Sequence, residues 1–77
     1  MNKLRADAEQ GRAVSQYILA GRLHEGKGVA KDFEQAVVWY RKAAEQGHAE
    51  AQFELAGHLH MGLGVAKDLV QAVEWYR

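Results

Sequence analysis

The sequence predicts an all-α fold, an α/α solenoid of antiparallel helix pairs built from about two 36-residue repeats flanked by partial helices. Three observations predict it. The first is self-similarity: His24, Gly26, Gly28, Trp39 and Tyr40 recur as His60, Gly62, Gly64, Trp75 and Tyr76, each 36 positions on. Residues 5–41 laid on 41–77 without a gap are identical at 24 of 37 pairs, and a period within about 20–50 residues marks an array in which each unit covers its neighbour's apolar face. The second is helical spacing, since Leu19 and Leu23, and again Leu55 and Leu59, stand four apart as one helical face requires. The third is punctuation by glycine at equivalent points of each unit, where helices close.

In chain order, residues 1–11 match the second half of a second-type (B) helix of the repeat, ending at Gly11. Asp7 falls where Ala43 sits in the intact unit, an inward position at which an unpaired carboxylate would be costly. That substitution predicts either an edge covered by no earlier unit or a helix rotated outward. The first unit, 12–47, opens with an A helix from Ala13 to Glu25, closed by Gly26. Its B helix starts at Asp32, whose carboxylate can accept from the first-turn N–H groups, with Gln35 three residues on completing a capping-box-like pair. Phe33, Ala36, Val37, Tyr40, Ala43 and Ala44 then share one face, and Gly47 ends the helix. The second unit, 48–77, repeats this with an A helix Ala49–Met61, Gly62, the Asp68/Gln71 pair and a B helix that stops at Arg77. Abundant alanine (Ala20, Ala36, Ala43, Ala44, Ala56, Ala72) suits close helix approach. The whole chain, 1–77, reads as one domain.

The string Gly26-Lys27-Gly28-Val29-Ala30-Lys31-Asp32, then Gln35-Ala36, then Trp39 through Gln52 resembles the Sel-one-like repeat, a relative of the tetratricopeptide repeat with a longer unit. The glycine loop, the Trp-Tyr pair and the Ala-Ala-Glu-Gln-Gly ending coincide in register over nearly the whole chain. The resemblance implies an α/α superhelix that binds other proteins as an adaptor and performs no catalysis. Ala20 and Ala56 stand where the family favours Gly, and Leu23 and Leu59 where it favours Tyr. The paired cysteines of some secreted members are absent.

Composition excludes several functions. Ten basic and ten acidic residues cancel, so the electrostatic footprint of a nucleic-acid binder is missing. No window approaches the roughly 18–20 apolar residues of a membrane span, and no apolar run follows the charged start as a secretory signal would. A cytoplasmic location is the default expectation. Without Cys there are no disulfides. Ser15, the only serine in a chain without Thr or Cys, has no strand-turn-helix elbow to present it, so no nucleophile is predicted. His58 and His60 are two apart and point in different directions on a helix, so neither metal nor cofactor is expected. Gly26-x-Gly28 and Gly62-x-Gly64 lack the preceding strand and the Lys-Ser/Thr of a nucleotide loop. Glu50 and Glu54 lie on one solvated turn and read as a charged face rather than an acid–base pair.

A protein or peptide is therefore the expected partner. Turning each A helix at 100° per residue leaves Ile18, Arg22 and Glu25, and then Glu54, His58 and Met61, on a stripe opposite the leucines. Ile18 and Met61 are apolar residues on an otherwise polar stripe, suited to anchoring a peptide. Positions 18/54, 22/58 and 25/61 differ between units while 19/55, 23/59 and 40/76 do not, as expected of a binding surface carried by a uniform core. Homo-oligomerisation is a second expectation. Residues 1–42 carry net +3 and 43–77 net −3, and the two partial B helices are complementary, so head-to-tail stacking or exchange of terminal helices, through Leu4, Trp75 and Tyr76, is expected. The contrary expectation is a structural spacer, part of a longer solenoid with no binding role of its own.

Overall fold

Residues flanking each helix account for where it begins and ends. The computed structural model describes residues 2–77 as five helices, α1 Asn2–Glu9, α2 Ala13–Glu25, α3 Phe33–Glu45, α4 Ala49–Met61 and α5 Leu69–Tyr76. Gly62 adopts the left-handed conformation (φ 71°), and its N–H and that of Leu63 both donate to the His58 carbonyl at 2.8 and 3.0 Å, satisfying an acceptor the helix itself leaves free. Gly26 closes α2 in the same way on the Arg22 carbonyl. At the other ends, the Asp32 and Asp68 carboxylates accept from the Gln35 and Gln71 N–H groups at 3.1 and 3.0 Å.

The capping box expected there forms only by half. The Asp32 and Asp68 N–H groups, which a reciprocal glutamine would serve, donate instead to the Leu23 and Leu59 carbonyls, both at 2.9 Å. Each connecting loop is thereby tied to the A helix before it. Gln71 is left to accept from the Arg41 guanidinium at 3.0 Å, joining α3 to α5.

Each helix packs chiefly on its chain neighbours, α1 on α2, α2 on α3, α3 on α4 and α4 on α5, giving a slab of 35 × 24 × 14 Å. In this local, quasi-one-dimensional plan the core is a continuous seam. Leu19, Leu23, Leu55 and Leu59 are buried, with Ala36, Val37, Trp39, Tyr40, Ala43 and Ala44 of α3 set against them. A side-chain tie recurs with the repeat: Gln16 Nε2 donates to the Ala8 carbonyl and Gln52 Nε2 to the Ala44 carbonyl, both at 3.1 Å. Each fastens an A helix to the end of the B helix before it.

The α1 edge resolves the question posed by Asp7. Ala8 is buried as its equivalent Ala44 is, and Leu4 packs on the core, so α1 keeps the inward register. Asp7 is nonetheless half-exposed, and among the described residues α1 packs chiefly on α2. At the other edge, Trp75 also packs on the core, while Leu69, Val70, Val73 and Tyr76 of α5 are exposed.

Candidate partner-binding groove

The left-handed turn at Gly62 has a consequence inside the fold. Loop 62–68 folds back onto the start of α3, where a Cβ on Gly64 (φ 72°) would stand 2.3 Å from the Phe33 carbonyl carbon. The same fold-back brings the Leu63 carbonyl to 2.9 Å from His58 Nδ1, and His58 Nε2 lies 3.1 Å from His24 Nδ1. A carbonyl only accepts, so His58 Nδ1 carries the proton and Nε2 must accept from His24. The pair thus links α2, α4 and the following loop by two oriented hydrogen bonds. Burial pushes the His58 pKa below the ordinary 6.5, and neighbouring His24 adds to that, against the opposing pull of the Leu63 bond and Glu54.

His58 is therefore not on the open stripe. It is 2% exposed, enclosed by His24, Phe33 and Tyr40 with ring centroids 5.0, 5.9 and 5.5 Å away. The helical-wheel expectation fails here because α3 inserts Phe33 and Tyr40 between the two A helices and covers the position. At the equivalent place in the first unit, Arg22 is exposed.

The remaining stripe residues divide. Ile18, Arg22, Glu25 and Glu54 line one groove of about 660 Å³ between α2 and α4, together with Tyr17, Gly21 and Lys27. Ile18 is 41% exposed on its edge. Met61, 69% exposed at the end of α4, lies outside the groove. Two tyrosines floor it, their rings 5.9 Å apart, and Tyr17 also stacks on His48 at 4.8 Å. Both phenols are held above their ordinary value by burial first, then by carboxylates: Glu50 and Glu54 for Tyr17, chiefly Glu54 for Tyr40. Tyr40 lies in the core, as its place on the B-helix face predicts, and it also borders the groove, which a helical wheel of one helix does not show. Position 17/53, Tyr in one unit and Phe in the other, carried a usable signal.

Of the residues expected to mediate self-association, Leu4 and Trp75 are half-buried on the chain's own core, and Tyr76 is 46% exposed with its ring against Phe53. Among the described residues, no group of three or more His, Asp or Glu is placed to hold a metal ion, and no helix is long and apolar enough to cross a membrane.

The Sel1 repeat pattern matches residues 13–48 and 49–77, each covering an A helix and the loop and B helix that follow. The chain belongs to the Sel1 repeat family. Known structures agree with this Sel1 assignment. A protective antigen of uropathogenic Escherichia coli with an SLR fold superposes at TM-score 0.97 with 43% identity, over 100% of this chain and 16% of the antigen. A Sel1 repeat protein from Oxalobacter formigenes superposes at 0.93 with 42% identity, over 95% of this chain and 55% of its own. Helicobacter pylori cysteine rich protein B superposes at 0.89 with 28% identity, over 94% and 54%. The chain thus spans about half, or less, of these relatives. No curated protein sequence matches it. Sel1 repeat proteins in general mediate protein–protein interaction and form a non-catalytic scaffold family.

Proposed function

We propose that this Sel1 chain is a non-catalytic protein-interaction module whose partner segment lies in the groove between α2 and α4. The observation that carries the reading is the groove itself: Ile18, Arg22, Glu25 and Glu54, all from positions that differ between the two units, line one concavity over a two-tyrosine floor. A concave surface with an apolar edge and a few polar groups is what a peptide site requires. Met61 extends the surface past the end of the groove and is a secondary contact, whereas His58 serves the core. The test is selection of peptides from a displayed random library against the immobilised chain. Peptides that bind wild type and lose binding to Ile18→Asp, with Met61→Asp having the smaller effect, support the groove. Peptides indifferent to Ile18→Asp refute it.

The exposed apolar face of α5 favours a second reading, self-association. Leu69 and Val73 occupy the positions of Phe33, which in the first unit lies against His58 of α4 and the loop at Gly64, and of Val37, which is buried in the core. A head-to-tail stack is the less favourable geometry. It would set Leu69 against Arg22 and Lys27, the counterparts of His58 and Leu63, and so desolvate two cations on an apolar surface. Contact between two α5 faces buries Leu69, Val70 and Val73 without that cost. Sedimentation equilibrium checks it: a dimer abolished by Val70→Asp supports the α5 contact, and a monomer at all concentrations removes it and leaves a spacer or a purely peptide-binding module.

A further inference from the structure

We infer that the groove is built to receive a cationic side chain, the guanidinium or ammonium of an Arg or Lys in the partner segment. The inference rests on the peptide-groove reading and names the chemistry of its anchor. Tyr40 is 3% exposed, yet its hydroxyl borders the groove, facing Gly21, where an added Cβ would stand 3.7 Å from the oxygen. That hydroxyl makes no hydrogen bond among the described residues, where the one fully enclosed side-chain polar atom without a partner is Trp39 Nε1, so the Tyr40 oxygen is open to the groove and available to a ligand there. Glu54 of α4 lines the same groove, half-buried, and makes no ion pair among the described residues, where the single ion pair is the exposed Lys27–Glu25 contact at 3.9 Å.

The two features call for one ligand chemistry. A half-buried carboxylate without a counter-ion and a phenol oxygen free to accept both seek a donor, and a cation supplies donors to both. The Tyr17 ring beside them offers a face on which a guanidinium can lie. Glu50, whose charge is felt at Tyr17, makes the wall more negative. Burial first, and then the nearby carboxylates, Glu54 among them, hold the Tyr17 and Tyr40 phenols above their ordinary value, in keeping with Glu54 standing near the groove floor. Two cations, Arg22 and Lys27, also line the groove, and they sort by partner. Lys27 is engaged with Glu25, and Arg22 is the one local rival for the site. A Gly at position 21 keeps the floor open between them, since no side chain stands over the Tyr40 oxygen.

Three blocked peptides of one backbone test this, bearing at the centre arginine, its neutral isostere citrulline, or glutamate, each titrated into the isotopically labelled chain and read by amide shifts at Gly21, Glu54 and Gly57. Saturable shifts in about the millimolar range are expected for arginine, weakened about tenfold for citrulline and for arginine on Glu54→Gln. Tyr40→Phe weakens it further in the same sense, and Arg22→Ala strengthens it by removing the rival cation. Unchanged far-UV circular dichroism of Glu54→Gln and Tyr40→Phe separates lost recognition from lost fold. Equal binding of arginine and citrulline peptides overturns the cation site while leaving a charge-indifferent groove standing. Tighter binding of the glutamate peptide overturns it in favour of Arg22 and Lys27 as an anion site. No saturable shift with any peptide overturns the cation site, and the library-selected peptides then decide the groove separately.

Discussion

Gly64 and Gly57 are the same residue type two helical turns apart, and the fold asks opposite things of them. Gly64 needs the left-handed backbone and the absence of a side chain, because a Cβ there would meet the Phe33 backbone, whereas Gly57 sits in ordinary helix with nothing within 4 Å of an added Cβ. Gly57→Ala therefore stabilises the chain by about 0.5–1 kcal/mol, and Gly64→Ala destabilises it by about 2 kcal/mol or more, both measurable by urea unfolding. Histidine 58 gives a second residue-scale prediction. Its lowered pKa means that above the ordinary 6.5 both folded and unfolded chains are neutral there and stability is full. Below 6.5 the unfolded chain takes up a proton that the folded chain resists, so stability falls as pH drops from that value towards the lower native one. His58→Asn, compared with wild type by denaturant titration at pH 7.5 and 5, shows a flatter dependence; an unchanged difference between the two pH values would contradict the oriented His24–His58–Leu63 relay. Sequence reading placed His58 on a surface because a helical wheel knows only one helix. What buries it is a tertiary event, the insertion of Phe33 and Tyr40 from α3.

At the scale of helices, most of the structure was legible. The bounds of α2 and α4 and the starts of α3 and α5 follow from glycines and aspartates at repeat spacing, since those signals are local and act on the backbone directly. The capping box was legible only on its carboxylate side. Its glutamine side was not, because the competing acceptor for the Asp N–H is a carbonyl nine residues earlier, on another helix. The Gln16 and Gln52 ties were visible as a repeated glutamine but carried no pattern that distinguished a tie from a surface residue. The two caps also differ in context: Asp32 heads a helix enclosed on both sides, and Asp68 heads an edge helix. Removing either cap costs about 1 kcal/mol. Asp68→Ala is expected to appear as fast amide exchange confined to α5, and Asp32→Ala as a drop in global unfolding stability, because α3 is held by both A helices and opens only with them.

On the scale of the whole molecule, the two edges are unlike. The first unit presents Arg22 and Lys27, solvated, where the second buries His58 and half-buries Leu63, while α5 leaves Leu69, Val70 and Val73 open. The charge split between the halves, legible from sequence, pointed to end-to-end pairing; side-chain placement shows the cations lying where an apolar helix would have to land. The groove residues Ile18, Arg22, Glu25 and Glu54 were legible because one face of an A helix stays free in such a stack, but its floor was not, because Tyr40 is a core residue in sequence and in space and only its hydroxyl end borders the groove. The central claim is that a partner lies between α2 and α4. Photocrosslinking tests it most directly, with a benzophenone side chain placed singly at Arg22, in the groove, at Glu45, on the B-helix side, and at Val70, on α5, each offered the same library-selected peptide. An adduct from position 22 alone, competed by unlabelled peptide, is the result predicted. Equal adducts from all three positions would contradict the groove, and an adduct from position 70 alone would contradict it and move the interaction surface to α5.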